Sequence, residues 1–321
     1  MMSTDDQLLL WLYRDQLQVE DHWAIKHPNG FSWWAHEYRQ DIASVAQILD
    51  GEGEMAYLMS ISTDVVADIP ENANLESVLG DLASDQADLA GFVYDVKERT
   101  VRLHSLMRVH DGIRPWAQRL LSVAAVSQLH QAEQLAETLA LATGGKPAKS
   151  RHPIRGVRNE TYRDDMAELA SCLFPQHGAE PSRWDKDSFE QACFYAEEMR
   201  MGEAEITDAG LRLEFNTSGL VSSFLANPQF RHQEYGNGLL LSQKIPYEFS
   251  TQEKGLRLCM ALNALHLAEY PAGYGLGTYA FRDGAIFFQS FVPNMGFIRG
   301  DLVNFVLSAG ERHETLAELL V

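Results

Sequence analysis

The chain is poor in the features that staple small domains or hold phosphate. Only three of its 321 residues are cysteine, Cys172, Cys193 and Cys259, widely spaced and outside any CxxC or CxxH pattern. An odd, scattered set argues against a disulfide framework and against a zinc site, and it fits a reducing cytoplasm. No apolar run approaches the roughly 20 residues that a membrane-spanning helix needs. The opening stretch MMSTDDQLLLWLYRD has neither the basic region nor the small-residue cleavage site of a signal peptide. Cations are scarce as well, 26 Lys and Arg against 45 Asp and Glu, a net charge of −19. Nucleic acid and anionic membrane both demand clustered cations, so neither is an expected partner. GxxxxGK[ST] and GxSxG are missing, which removes the phosphate-cradling loop and the hydrolase nucleophile elbow.

What remains is an ordinary globular composition, 45% hydrophobic and 22% charged, at twice the length of a typical domain. The charge divides the chain. Residues 1–142 carry 22 acids and 9 bases, residues 143–160 carry 1 acid and 5 bases, and residues 161–321 carry 22 acids and 12 bases. The middle piece, TGGKPAKSRHPIRGVRNE, reads as a basic Gly/Pro linker.

An internal repeat sets the architecture. Tyr94–Met107 aligns without gaps on Tyr279–Val292, and ten of the fourteen positions agree in identity or character. At nearly the same offset, Tyr57–Ser60 meets Leu239–Ser242, Phe31 meets Leu213, and Trp33 meets Phe215. Each copy opens with an apolar-periodic helix, passes through strand-like stretches to a second helix capped near Asn74 or after Ser250, and then enters a hairpin. A closing helix follows, near 113–141 in copy one and Asp301–Leu320 in copy two. The expected order is α-β-β-β-α-β-β-α, repeated. No parallel crossover is present, so the fold class is α+β, a duplicated domain with an antiparallel sheet and helices mainly on one face. The domains read as 1–142 for repeat one, 143–160 for the linker, 161–181 for a connecting helical segment and 182–321 for repeat two.

That order, with Gly30–Ala43 (GFSWWAHEYRQDIA) and the Tyr94–Gly112 hairpin, resembles the type III secretion chaperone fold shared with YbjN-like proteins, and in particular a group of bacterial tandem proteins described as peptide-binding chaperones. Trp33, Trp34, Gln40 and Ile42 fit the group's pattern, whereas Ala35, Tyr38 and Arg39 depart from it. The resemblance implies a non-enzymatic protein that binds a peptide segment or partner protein, as a homodimer or as an internal pseudo-dimer within one chain.

The residues themselves offer little catalytic chemistry. Gly273–Gly277 contains GxGxG, but it joins a helix to a strand, whereas a dinucleotide fingerprint joins a strand to a helix. It reads as a flexible connection. His110-Asp111-Gly112 lacks the further ligands of a metal phosphohydrolase and reads as a turn closing the hairpin. His22, His27 and His36 match no metal-ligand spacing, and they are the first suspects of the alternative reading, an enzyme with a non-repeated site. A purely structural pseudo-dimeric subunit is a further alternative. No catalytic residue, metal or cofactor is expected. Two features point to a partner surface. Adjacent strand residues face opposite sides, so with Trp33 in the core Trp34 lies on the other face. In the second hairpin Phe287 and Phe291 replace Arg102 and Leu106 on the outer face, and apolar side chains of that size need a cover. Trp34, Phe287 and Phe291 are therefore the candidate partner-binding residues.

Overall fold

The computed structural model describes residues 3–49, 53–85, 87–149, 152–158, 180–217, 219–247 and 249–320. Helix α1 (Thr4–Trp11) starts at Ser3, whose side chain accepts from the Asp6 amide. Strands β1 (Ala24–His27), β2 (Gly30–Trp33), β3 (Gln40–Leu49) and β4 (Met55–Ala67) follow. Helix α2 (Leu75–Asp85) begins after Asn74, whose Oδ1 accepts from the Ser77 amide. Strands β5 (Gly91–Asp95) and β6 (Thr100–Val109) form the hairpin, and α3 (Arg114–Thr143) begins with Pro115 in its first turn and ends at Gly144 in the left-handed conformation. The short β7 (Lys146–Pro147) closes the first half.

The second half repeats this succession. Helix α4 (Lys186–Glu198), capped by Asp185, leads into β8 (Glu203–Thr207), β9 (Gly210–Thr217), β10 (Leu220–Asn227), the short β11 (Arg231–His232) and β12 (Gly236–Pro246). Helix α5 (Gln252–Ala268), capped by Thr251, precedes the β13 (Thr278–Arg282) and β14 (Ala285–Pro293) hairpin, and α6 (Asp301–Leu320) ends the copy. The sheets run β1-β2-β3-β4-β6-β5 and β8-β9-β10-β12-β14-β13, the same order position for position. Every strand pairing among the described residues is antiparallel. The duplicated α+β domain is thus present, with one more strand ahead of the middle helix than the sequence suggests. The additional edge strands β1 and β8 are short and mostly exposed, so they carry little apolar alternation.

The registers correct the gapless alignment by two residues. Ser105 and Ser290 are equivalent, and they pair with Ile61 and Leu241 respectively. In the hairpin, however, Tyr94 pairs with Val101 while Phe281 pairs with Ile286. The copy-one turn, Val96–Arg99, is two residues longer than Asp283-Gly284. A two-residue shift preserves the side of the sheet, so the inner and outer assignments survive it.

The copies pack on each other through matching elements. Helix α2 lies against β13 and α5 against β5, while α2 meets α5 directly. This reciprocity is the mark of an isologous contact within one chain. Gly91 and Thr278 are equivalent by register, and a Cβ built on Gly91 would stand 3.0 Å from Thr278 Oγ1. One hydrophobic cluster spans both halves, from Leu8 and Trp116 to Phe291 and Ala309. The GxGxG segment belongs to this contact and is not a free connection. Leu106 and Gly275 exchange two backbone hydrogen bonds of 2.9 and 2.8 Å. A Cβ on Gly275 would come within 2.6 Å of His266 O and 3.0 Å of Leu106 O. Gly275→Val should therefore cost about 1–3 kcal/mol or more in urea denaturation. A stability equal to that of the parent chain would show that this crossing is not tightly packed.

Candidate binding groove

The residues singled out in the sequence separate into buried and half-buried positions. Trp34 is only 2% exposed. Its ring parts company with that of Trp33, whose Nε1 donates to Gln40 in the core, and His152 and Arg158 of the basic segment cover it. His152 stacks edge-on against Trp34 (4.8 Å between centroids) and Trp23 (5.6 Å), and the Arg158 guanidinium donates to the Trp34 carbonyl. Phe291 is fully buried (0% exposed), stacked on His232 at 4.9 Å and packed on Phe230 at 5.8 Å. Gln289, on the same face, donates to Ala83 O of copy one. Phe287 is half-buried beneath Arg282, whose guanidinium stands 4.7 Å from the ring centroid. The covers are thus chain-internal, and Trp34 and Phe291 offer no accessible surface in this conformation.

The histidines do not converge. His27 Nε2 lies 2.9 Å from Ser32 Oγ, but Asp41 accepts from that same Ser32 hydroxyl and does not hold the imidazole, so this is not a nucleophile–base–carboxylate relay. His22 is half-exposed near Glu20, and His36 is buried. Asp111 accepts from Thr4 at 2.7 Å in the turn after β6. Among the described residues no group of three or more His, Cys, Asp or Glu side chains could hold a metal ion, and no helix is long and apolar enough to cross a membrane. Cys259 is buried, which pushes its thiol up to about 12, and Cys193 is half-buried. Cys172 and most of the expected 161–181 helical segment lie outside the described residues.

A feature that sequence reading missed lies where β2 meets β3 and β9 meets β10. In copy one this end of the sheet is occupied by the chain itself. Lys146-Pro147 pairs with Val66-Ala67, the Ala148 amide donates to Val65 O, and Lys149 bridges to Tyr38. The attachment is also ionic. Lys146 meets Asp68 at 3.1 Å, Lys149 meets Glu37 at 3.0 Å, and Arg158 meets Glu20 at 2.9 Å. The basic segment is therefore a strap seated on an acidic corner, extended at Lys146–Lys149 and turned back on itself between His152 and Gly156, which exchange two backbone hydrogen bonds, with His152 as its aromatic anchor.

Copy two has no such strap among its described residues, and the corresponding end is an open groove of about 510 Å³ between the Thr217 end of β9 with Val221 of β10, the α4–β8 junction and α6. Its lining is mixed: Met199, Met201, Phe215, Val221 and Leu307 supply apolar surface, with Phe215 buried beneath, and Asn216 and Thr217 add polar groups. Its rim carries Glu203, Glu214, Glu311 and Glu314 against the single cation Arg200. Glu214 and Glu311 are paired with Arg212 and Arg108, which leaves Glu203 and Glu314 as exposed rim charges. Val221 is 44% exposed although it sits on a strand. His313 also lines the groove. Its Nδ1 lies 2.9 Å from Ser222 Oγ, which itself accepts from Gln243. The Ser222 hydroxyl thus links the Gln243 amide to the His313 ring. Burial holds the His313 pKa below the ordinary value, so the ring is neutral at pH 7.

No protein-family model, curated protein or solved structure gives a significant match to this chain.

Proposed function

We propose that this chain is a non-enzymatic binding protein whose second copy holds an extended segment of a partner protein, one with apolar side chains flanked by Lys or Arg. The observation that carries this reading is the pairing of the two sheet ends. One is filled by the chain's own basic strap, and its counterpart is open, partly apolar and acid-rimmed. Methionine suits such a lining, since its flexible thioether adapts to different side chains. The rim charge and the net charge of −19 favour a cationic partner and speed its approach. The resemblance to peptide-binding tandem chaperones is consistent with the same activity.

The direct probe is a labelled peptide with the strap's own sequence, residues 146–158, titrated into the full chain by fluorescence anisotropy. Saturable binding that weakens with rising salt is expected. Glu203→Lys combined with Glu314→Lys changes only exposed rim positions, and it should weaken binding about tenfold or more at low salt. Binding that is absent, or indifferent to both the charge reversal and salt, would remove the groove from consideration.

A further inference from the structure

The core of copy two contains a cation without a counter-charge. Arg312, on α6, is 3% exposed. Its hydrogen-bond partners are all neutral, the Tyr279 hydroxyl among them. Nη1 donates to Gln243 Oε1 at 3.0 Å, and Nη2 donates to Tyr274 O at 3.1 Å and Ser308 Oγ at 3.2 Å. The guanidinium also lies 3.6 Å from the centroid of the Phe288 ring. The neighbouring Glu311 is engaged by Arg108. Arg312 Nε has no hydrogen-bond partner, and neither has the hydroxyl of Ser290, which is 1% exposed. Both residues line one small cavity of about 20 Å³ between the sheet and α6, enough for one species of about the size of a water molecule.

Copy one shows how the same position is closed with neutral groups. Thr63 and Gln243 are equivalent by register, and Gln128 stands to Thr63 as Arg312 stands to Gln243. Gln128 Nε2 donates to Ser105 Oγ at 2.8 Å and to Ile61 O at 3.2 Å, and Ser105 donates onward to Leu89 O at 2.7 Å. Every member is satisfied and no net charge is buried. In copy two a guanidinium replaces the amide, the equivalent serine has no partner, and a cavity lies beside both. Burying an unpaired charge is expensive, and an anion in that cavity would supply both the counter-charge and the missing acceptor.

We infer that the copy-two core binds a single small monovalent anion of about chloride size, accepting from Arg312 Nε–H and Ser290 O–H. The test is thermal unfolding of the full chain in sodium chloride and in sodium gluconate at equal ionic strength, for the parent chain and for Arg312→Gln, which rebuilds the copy-one arrangement. The parent chain should gain a chloride-dependent increase in Tm, about 5 °C at a hundredfold excess over Kd, that Arg312→Gln lacks. An equal response of the two chains to chloride would overturn the site and leave the cavity to water. If Arg312→Gln does not fold, Ser290→Ala answers the same question, because it keeps the charge and removes one donor. Its chloride midpoint should rise about tenfold, and an unchanged midpoint would overturn the proposal.

Discussion

Trp116→Ala is expected to lower the stability of the whole chain by about 3–5 kcal/mol, the range for emptying a buried aromatic position. Trp116 stands at the start of α3 in copy one and is buried, but its ring contacts belong to copy two. Tyr274 meets it edge-on at 4.9 Å and Phe305 at 5.1 Å. Truncation leaves a void between α3, α6 and the Gly273–Gly277 crossing, beside the Leu106–Gly275 backbone pair. Because one cluster spans both halves, the loss should appear as a single transition displaced to lower denaturant. Far-ultraviolet circular dichroism and the summed emission of the five remaining tryptophans, four in copy one and Trp184 buried in copy two against Phe297, should move together. A loss below about 1 kcal/mol, or two separate transitions, would mean that the halves are stabilised independently.

Acid should weaken the same interface through His266. The ring is buried, and Tyr279 Oη lies 2.8 Å from its Nδ1. Burial, followed by the nearby Arg312 charge, lowers its pKa from 6.5 to about 4. In the unfolded chain the imidazole takes up its proton near pH 6.5, whereas in the folded chain it resists protonation until about pH 4. Its contribution is complete above pH 6.5 and is lost as pH falls through that window, a total of about 3 kcal/mol. Asp88 and Asp301 act in the opposite direction, because burial raises both to about 6, and their effect makes the fold more stable as pH falls from 6 towards 4. The informative quantity is therefore a difference between chains. His266→Gln keeps an acceptor for Tyr279 and cannot titrate. Between pH 7 and pH 4 the parent chain should lose about 3 kcal/mol more than this variant in urea denaturation. Parallel pH profiles would show that His266 is not held neutral.

The duplication was legible because strand cores keep their spacing. Val101, Leu103, Ser105 and Met107 have direct counterparts in Ile286, Phe288, Ser290 and Val292, and all eight are buried. Helix limits were legible where a cap announces them, as at Asn74 and Thr251. The two-residue offset was hidden because it arises from a longer turn at Val96–Arg99, and exposed turn residues carry no pattern to align. Trp33 and Trp34 have different neighbours, Gln40 and His152, but the cover of Trp34 was invisible. The covering segment reads by composition as a linker, and nothing local shows that Lys149 meets Glu37 or that His152 packs on Trp34. The groove was harder still. Its existence depends on what copy one places at the 34–39 loop and the strap and what copy two replaces by running β9 and β10 on until Thr217 pairs with Leu220, a comparison that requires both sheets in space.

The central claim, that the open end of the second sheet takes an extended basic segment, is tested most directly by hydrogen–deuterium exchange of the full chain with and without the 146–158 peptide. Slowed exchange is predicted at 199–207, 214–217 and 221, with the copy-one corner at 34–38 unchanged. Protection confined to copy one, or to the Phe287 face, would contradict the account.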